Sequence, residues 1–201
     1  MDPTAALIAG LVAGLAVAMQ VGAVSLLLVE TAVVAGPRAG VAAGMGVATV
    51  DFGFAAIAAA AGGVAGPALA SHQREIRGVG AIVLAAIALR GLVTSARERD
   101  PSPAAAGGAP RAHYARFVAI TAANPITIAS FAAVGAALTL TGPASAVAFA
   151  AGAGAASAGW HLFLTVAAGH AGRWITPPIR RGLAIGGRLV VLAIAAQLAL
   201  R

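Results

Sequence analysis

One carboxylate, Asp51, stands inside a long apolar segment rich in glycine and alanine. An acidic side chain at the centre of a membrane helix costs roughly 2.5 to 3.5 kcal/mol on insertion scales, and such residues usually face the bundle interior and mark a function. The positions that share its helical face are all small, namely Gly44, Ala48, Ala55, Ala58 and Gly62. Another helix can therefore pack closely there, and Asp51 is predicted to be an ion-coupling site for a proton or a cation. The alternative is a structural hydrogen bond between helices.

Two Gly-Pro pairs, Gly36-Pro37 and Gly142-Pro143, each precede a long apolar segment, and they are 106 residues apart. Both pairs are predicted to be structural turns, because glycine and proline are the residues that chain reversals favour. The same offset relates residues along both of the segments that follow. This indicates an internal repeat, the alternative being chance similarity between two segments rich in alanine and glycine.

The repeat places Ser157 at the position of Asp51, and His161 at the position of Ala55, one helical turn later. If the two halves are related by a pseudo-twofold axis, these polar side chains look toward one central space. A histidine that is hydrogen-bonded for structure alone is the alternative for His161. Asp51, His161 and His170 do not have the spacing of metal ligands, so no metal site is predicted.

Polar interruptions precede each Gly-Pro turn, at Gln20 to Gly22 and at Asn124-Pro125. Proline removes a backbone donor and clashes with the preceding turn, so the second interruption should kink or break its helix. Backbone groups freed at membrane depth are tolerated where they line a cavity, and paired breaks in two repeats point to a substrate site near the midplane. A packing kink without a ligand is the alternative. The predicted substrate-binding residues are Gln20, Gly22, Asn124, Pro125, Ser157 and His161.

The composition indicates that lipid is the solvent of this chain. Of its 201 residues 60% are hydrophobic and only 9% are charged, with a mean hydropathy of +0.94, whereas soluble domains are about 25% charged. All 13 basic residues are arginines, which suit cytoplasmic loops and do not indicate nucleic acid as a partner. The absence of cysteine excludes disulfides and thiolate chemistry. No cofactor motif or nucleophile-base set is present.

Six apolar segments must position these residues. They cover residues 4–34, 41–66, 78–93, 114–140, 144–169 and 182–200. The first is too long for one straight span and too short for two, so a tilted or broken helix is expected. The predicted fold is an all-α membrane protein of six transmembrane helices, arranged as two three-helix repeats at 1–94 and 114–201, joined by a cytoplasmic linker at 95–113. Because each repeat has an odd number of spans, the two insert with opposite orientation.

Arginine counts orient the chain in the membrane. With the N-terminus outside, the cytoplasmic loops hold eight arginines and the outer side holds three. The positive-inside rule then predicts a multi-pass protein of the bacterial inner membrane with both termini outside.

The chain resembles the LysE-type amino-acid exporter superfamily of small bacterial transporters over nearly its whole length. The resemblance is carried by Gly36-Pro37-Arg38-Ala39-Gly40, by Gly44, Gly46, Asp51 and Gly62 in the second segment, and by Phe117, Asn124 and Pro125 in the fourth. It implies efflux of amino acids or related small metabolites, usually driven by an ion gradient.

Two departures from that family's pattern fall at the predicted substrate site. Gln20-Val21-Gly22-Ala23 stands where the family commonly has Pro-Gly-Pro, and Ile126 stands where it commonly has lysine. These departures bear on which solute the protein carries and on whether it transports at all.

The sequence therefore predicts a secondary transporter, not an enzyme, that exports amino acids or similar small molecules by proton antiport with Asp51 as the coupling site. Its partners are the small-molecule substrate and the lipid bilayer. A divalent-metal exporter and a non-transporting membrane subunit are the alternatives. The oligomeric state stays open, a homodimer included.

Overall fold

The computed structural model describes residues 1–20, 22–61, 108–172 and 176–199, together with Trp174 and scattered residues between 72 and 93. The four continuous ranges form seven α-helices, most of the scattered residues are also helical, and no described residue is in a strand. They are α1 (Pro3–Ala18), α2 (Ala23–Ala35), α3 (Pro37–Ala61), α4 (Pro110–Ala122), α5 (Pro125–Ala137), α6 (Pro143–Ala171) and α7 (Pro177–Ala199). The predicted third span, 78–93, and most of the predicted linker lie outside the continuously described residues.

Six of these seven helices begin at a proline. Proline suits a first helical position, because its fixed φ is already helical and the N–H that it lacks would have no partner there. This preference explains two boundaries: α4 begins at Pro110, ahead of the predicted start at 114, and α7 begins at Pro177, ahead of the predicted start at 182. The Asp2 carboxylate caps α1 by accepting the N–H groups of Thr4 at 2.9 Å and Ala5 at 3.0 Å.

Both Gly-Pro pairs stand at the start of a long helix. Gly36 has φ +89° and Gly142 has φ +156°, and no other described residue has a positive φ. Side chains with a Cβ rarely adopt these values, whereas glycine does so at little cost. Gly36 joins α2 to α3 and Gly142 leads into α6, so a glycine with positive φ stands immediately before each of the two longest described helices.

The breaks predicted from the polar interruptions are confirmed. The axes of α1 and α2 meet at 76° across residues 19–22, and those of α4 and α5 meet at 61° at Asn124-Pro125. Helices α3 and α6 are each long and apolar enough to cross a membrane, and the described part holds up to four spans if each bent pair counts as one. These helices are those of an all-helical membrane protein. Apolar side chains such as Val12, Ile57 and Val147 are exposed on its outer surface.

Helices α3 and α6 pack against each other in opposite directions. Gly40 lies beside Thr165, while Gly154, nearer the start of α6, lies beside Phe52 near the end of α3. Helix α1 packs on α6, and α4 packs on α3. Small residues at these crossings let the helix backbones approach closely, as is usual in membrane bundles.

The packing of α4 on α3 and that of α1 on α6, here called the two outer crossings, have matching contacts. Gly46 of α3 faces the backbone carbonyl of Tyr114 in α4, and Gly152 of α6 faces the backbone carbonyl of Leu7 in α1. A Cβ at either glycine would collide with backbone rather than with a movable side chain. Both crossings therefore depend on glycine at one position of the long helix.

Buried apolar side chains form two clusters. One joins α2, α3, α4 and α7, and its largest members include Leu27, Leu28, Phe117 and Ile120. The other joins α1, α3, α5 and α6 and is built around Phe131 and Phe149. The polar residues described next lie between these clusters, since their surroundings include side chains from both.

Candidate functional site

Asp51 lies in the middle of α3 and is almost fully buried, with 2% of its surface exposed. Its Oδ2 atom accepts a hydrogen bond of 2.6 Å from the hydroxyl of Ser157, which is completely buried in the facing helix α6. Among the described residues no other hydrogen bond reaches the Asp51 side chain. The carboxylate is therefore held from one side and keeps acceptor capacity for another partner.

His161 extends this pair along α6. Its Nδ1 atom lies 2.9 Å from the backbone carbonyl of Ser157 and 3.1 Å from the Ser157 hydroxyl. A carbonyl only accepts, so we assign the Nδ1 proton to that contact. The Ser157 hydroxyl is then left to donate to Asp51, and Nε2 is the imidazole atom available for exchange of a proton.

A small cavity opens beside these residues, between the two helix breaks. It is lined by Val17, Ala18, Gln20, Gly22, Val24, Ser25, Val47, Asp51, Thr121, Asn124, Ile126, Thr127 and His161. It offers about 50 Å³ to the centres of water molecules, and one water needs about 10–15 Å³ by that measure. The cavity therefore has room for a few waters, and a larger solute requires the surrounding helices to move.

The structure brings most of the sequence-predicted site residues together. Gln20, Gly22, Asn124, Asp51 and His161 all line this one cavity. Ser157 stands behind the Asp51 carboxylate as its hydrogen-bond donor. Pro125 is buried at the first position of α5 and does not line the cavity. The Gly36-Pro37 and Gly142-Pro143 turns also lie away from it.

Asn124 has a structural task at the second break. Its Oδ1 atom accepts the N–H of Ile126 at 3.2 Å and so caps α5, while its Nδ2 atom donates to the Thr127 hydroxyl at 2.9 Å. Each end of the side chain thus makes one hydrogen bond, and one Nδ2 hydrogen and one Oδ1 lone pair remain. Asn124 therefore caps α5 and also forms part of the cavity wall.

Replacing Asn124 with alanine is expected to destabilise the protein by about 1 kcal/mol, the usual cost of removing a helix cap. Asn124→Ser is the matched control, because serine is as good a capping residue as asparagine. Thermal unfolding of the detergent-purified variants measures the difference. Equal melting temperatures for the alanine and serine variants would contradict the capping role.

Several polar residues of the site did not stand out in the sequence. Thr121 and Thr127 line the cavity from either side of the Asn124 break. Ser130 contacts the Gln20 side chain, with Oγ 3.1 Å from Nε2, and so links the first break to α5. Their closeness to Asn124-Pro125 is the one signal that could have identified them, because a break exposes the polar side chains on either side of it.

In the described part of the chain, no group of three or more His, Cys, Asp or Glu side chains is placed to hold a metal ion. The polar groups of the cavity are one carboxylate, one imidazole, hydroxyls, amides and the backbone of the two breaks. Such a set suits a small polar organic molecule.

Broken apolar helices around a small polar cavity, with a buried carboxylate at its wall, are typical of membrane transport proteins. The chain belongs to the LysE type translocator family, whose model matches residues 15–201. This confirms the resemblance over nearly the whole chain and indicates a multi-pass membrane transporter rather than an enzyme. No curated protein and no solved structure matches the chain.

Proposed function

We propose that this protein exports amino acids or related small metabolites across the bacterial inner membrane by exchange with protons. The main support for this proposal is the position of Asp51. Its buried carboxylate lines the cavity between the two helix breaks and accepts one hydrogen bond from the facing helix. A buried acid beside a polar cavity is the arrangement that transporters use for proton coupling.

The proposed frame is six spans in two inverted repeats, at 1–94 and 114–201, with a cytoplasmic linker at 95–113 and both termini outside. The hydrogen bond between Asp51 and Ser157 supports it, since these residues are 106 positions apart, the offset of the two Gly-Pro turns. Equivalent positions of a twofold pair touch each other only near the axis. Asp51 and Ser157 are therefore assigned to the axis between the repeats.

The outer crossings support the same frame. Gly46 and Gly152 are equivalent at that offset. Each faces a backbone carbonyl in the first helix of the other half: Gly46 faces Tyr114 in α4, and Gly152 faces Leu7 in α1. The antiparallel packing of α3 and α6 is also what inverted repeats require. In such folds, rocking of one repeat against the other alternates access to a central site.

Exchange follows from competition for one carboxylate. The ammonium group of an amino acid pairs with ionised Asp51, and a proton arriving from outside neutralises the same group and removes that attraction. The His161 imidazole, which also lines the cavity, is the nearest group that can pass or hold the proton. Because proton and ammonium cannot both occupy Asp51, outward solute movement is tied to inward proton movement.

The test is counterflow in proteoliposomes. Vesicles loaded with a mixture of unlabelled amino acids are expected to take up a labelled member of the mixture, and an imposed pH gradient is expected to drive net movement. Empty vesicles and vesicles with heat-inactivated protein are the controls. Absence of flux for every amino acid, with the protein shown to be folded, would overturn the proposal, as would flux of Mn²⁺ or Zn²⁺ in its place.

A further inference from the structure

Thr121, in the last turn of α4, has a hydroxyl group that the coupling scheme does not use. The residue lines the cavity and is 1% exposed, and none of the described residues is a hydrogen-bond partner of its Oγ1 atom. Helical threonines usually donate to the preceding turn of their own helix, as Thr49 and Thr165 do at 2.8 and 2.7 Å. The Thr121 hydroxyl makes no such bond, so its donor is left for a molecule in the cavity.

The N-terminus of α2 ends at the same cavity without a cap. Its N-cap residue is Gly22, which has no side chain to accept the first N–H groups, and the described residues supply no side-chain cap in its place. The nearby Ser25 hydroxyl donates instead to the Gln20 carbonyl at 3.1 Å. Gly22, Val24 and Ser25 all line the cavity. Unpaired N–H groups and the positive end of the helix dipole favour a carboxylate or another anion there.

Both features lie on the same small cavity. Thr121 and the residues at the start of α2, Gly22, Val24 and Ser25, are all part of its lining. Both features supply hydrogen-bond donors. Together they make a neutral but donor-rich wall, which binds a carboxylate without a balancing arginine or lysine.

The remaining wall sets the charge and size of the occupant. Of the described residues that line the cavity, Asp51 is the one carboxylate and none is arginine or lysine. One carboxylate can neutralise one ammonium group and leaves no partner for a second cation. The other lining side chains are mixed: five are aliphatic, and the polar ones are the neutral amides, hydroxyls and imidazole of Gln20, Ser25, Thr121, Asn124, Thr127 and His161.

Resting on the proposed function, we infer that the solute is a small neutral zwitterion. Its carboxylate binds the Thr121 hydroxyl and the uncapped N-terminus of α2, its ammonium group binds Asp51, and its side chain contacts the rest of the wall. Basic and acidic amino acids are poor ligands, because no second carboxylate and no arginine or lysine is among the described lining residues to balance their extra charge.

The first test measures binding to the purified full-length protein by isothermal titration calorimetry. The probes are L-alanine, ethylamine, which lacks the carboxylate, propionate, which lacks the amino group, L-lysine and L-glutamate. L-Alanine is expected to bind at least tenfold more tightly than each of the other four. Binding of ethylamine or L-lysine as tight as that of L-alanine would overturn the carboxylate subsite.

The second test is Thr121→Val, which replaces the hydroxyl with a methyl group of similar size. Loss of a hydrogen bond to a charged group is expected to weaken L-alanine binding about tenfold or more. The melting temperature without ligand should stay equal or rise, because a buried hydroxyl without a partner has been removed. Thr49→Val, which alters a helical threonine outside the cavity, should bind L-alanine as the wild type does. A lowered melting temperature with unchanged binding would show that Thr121 is structural and overturn the inference.

Failure of this inference is separable from failure of the proposed function. If counterflow detects L-lysine exchange but no L-alanine exchange, the protein is still an exporter and the assigned solute class is wrong. If L-alanine binds as expected but no vesicle assay detects flux, the subsite stands and the transport function is wrong.

Discussion

Asp51→Asn is expected to abolish proton-driven export while leaving the protein folded. Asparagine is close to aspartate in size and its carboxamide oxygen can still accept the hydrogen bond from Ser157. It cannot be ionised, so it neither carries a proton nor attracts an ammonium group. Counterflow in proteoliposomes should fall at least a hundredfold, and the remaining flux should not respond to pH between about 5 and 8.

The matched control is Asp2→Asn, which changes the only other described aspartate. Asp2 caps α1 at the surface and lies outside the cavity, so its variant should lose some stability and keep the wild-type pH dependence. Wild-type export by Asp51→Asn, with an unchanged response to pH, would contradict the coupling role. It would leave Asp51 as a structural hydrogen-bond partner between α3 and α6.

Gly152→Val is expected to destabilise the fold more than any surface substitution. The backbones of α6 and α1 meet at this residue, and an added Cβ would collide with the Leu7 carbonyl oxygen and lie 2.9 Å from the Leu11 nitrogen. Backbone atoms cannot move aside as a flexible side chain can. Overpacking of this kind costs about 1–3 kcal/mol, occasionally more, so the melting temperature in detergent should fall by several degrees.

Gly159→Val is the control on the same helix. Gly159 is exposed, and an added Cβ there meets nothing within 4 Å. Valine is a better helix former than glycine, so this variant should unfold at the wild-type temperature or slightly above it. Equal melting temperatures for the two valine variants would contradict the close crossing of α1 and α6.

The main features of the fold could be read from the sequence because they rest on local chemistry. Asn124-Pro125 breaks a helix wherever the pair occurs, and a glycine before a proline favours a reversal, as at Gly36 and Gly142. The repeat offset predicted that Asp51 and Ser157 look toward one central space. The direct hydrogen bond between them is known only from the structure.

Other features depended on tertiary structure and could not be read in that way. Thr121 and Ser130 look like ordinary residues of an apolar helix, and only the neighbours in the fold show that one hydroxyl is unpaired and the other contacts Gln20. Solute binding by Asn124 stays a prediction, and the structure adds that the first turn of α5 engages one donor and one acceptor of its side chain. The geometry of a break, rather than its residue types, decides which polar groups remain free.

Proton release on solute binding tests the central claim most directly. The amino acid that wild-type vesicles exchange fastest is added to purified protein in weakly buffered detergent solution at acid pH, and the pH change is recorded. If solute and proton compete for Asp51, the wild type should release up to one proton per solute bound, and Asp51→Asn should release none. Solute binding without proton release by the wild type, or equal release by both proteins, would contradict the exchange mechanism.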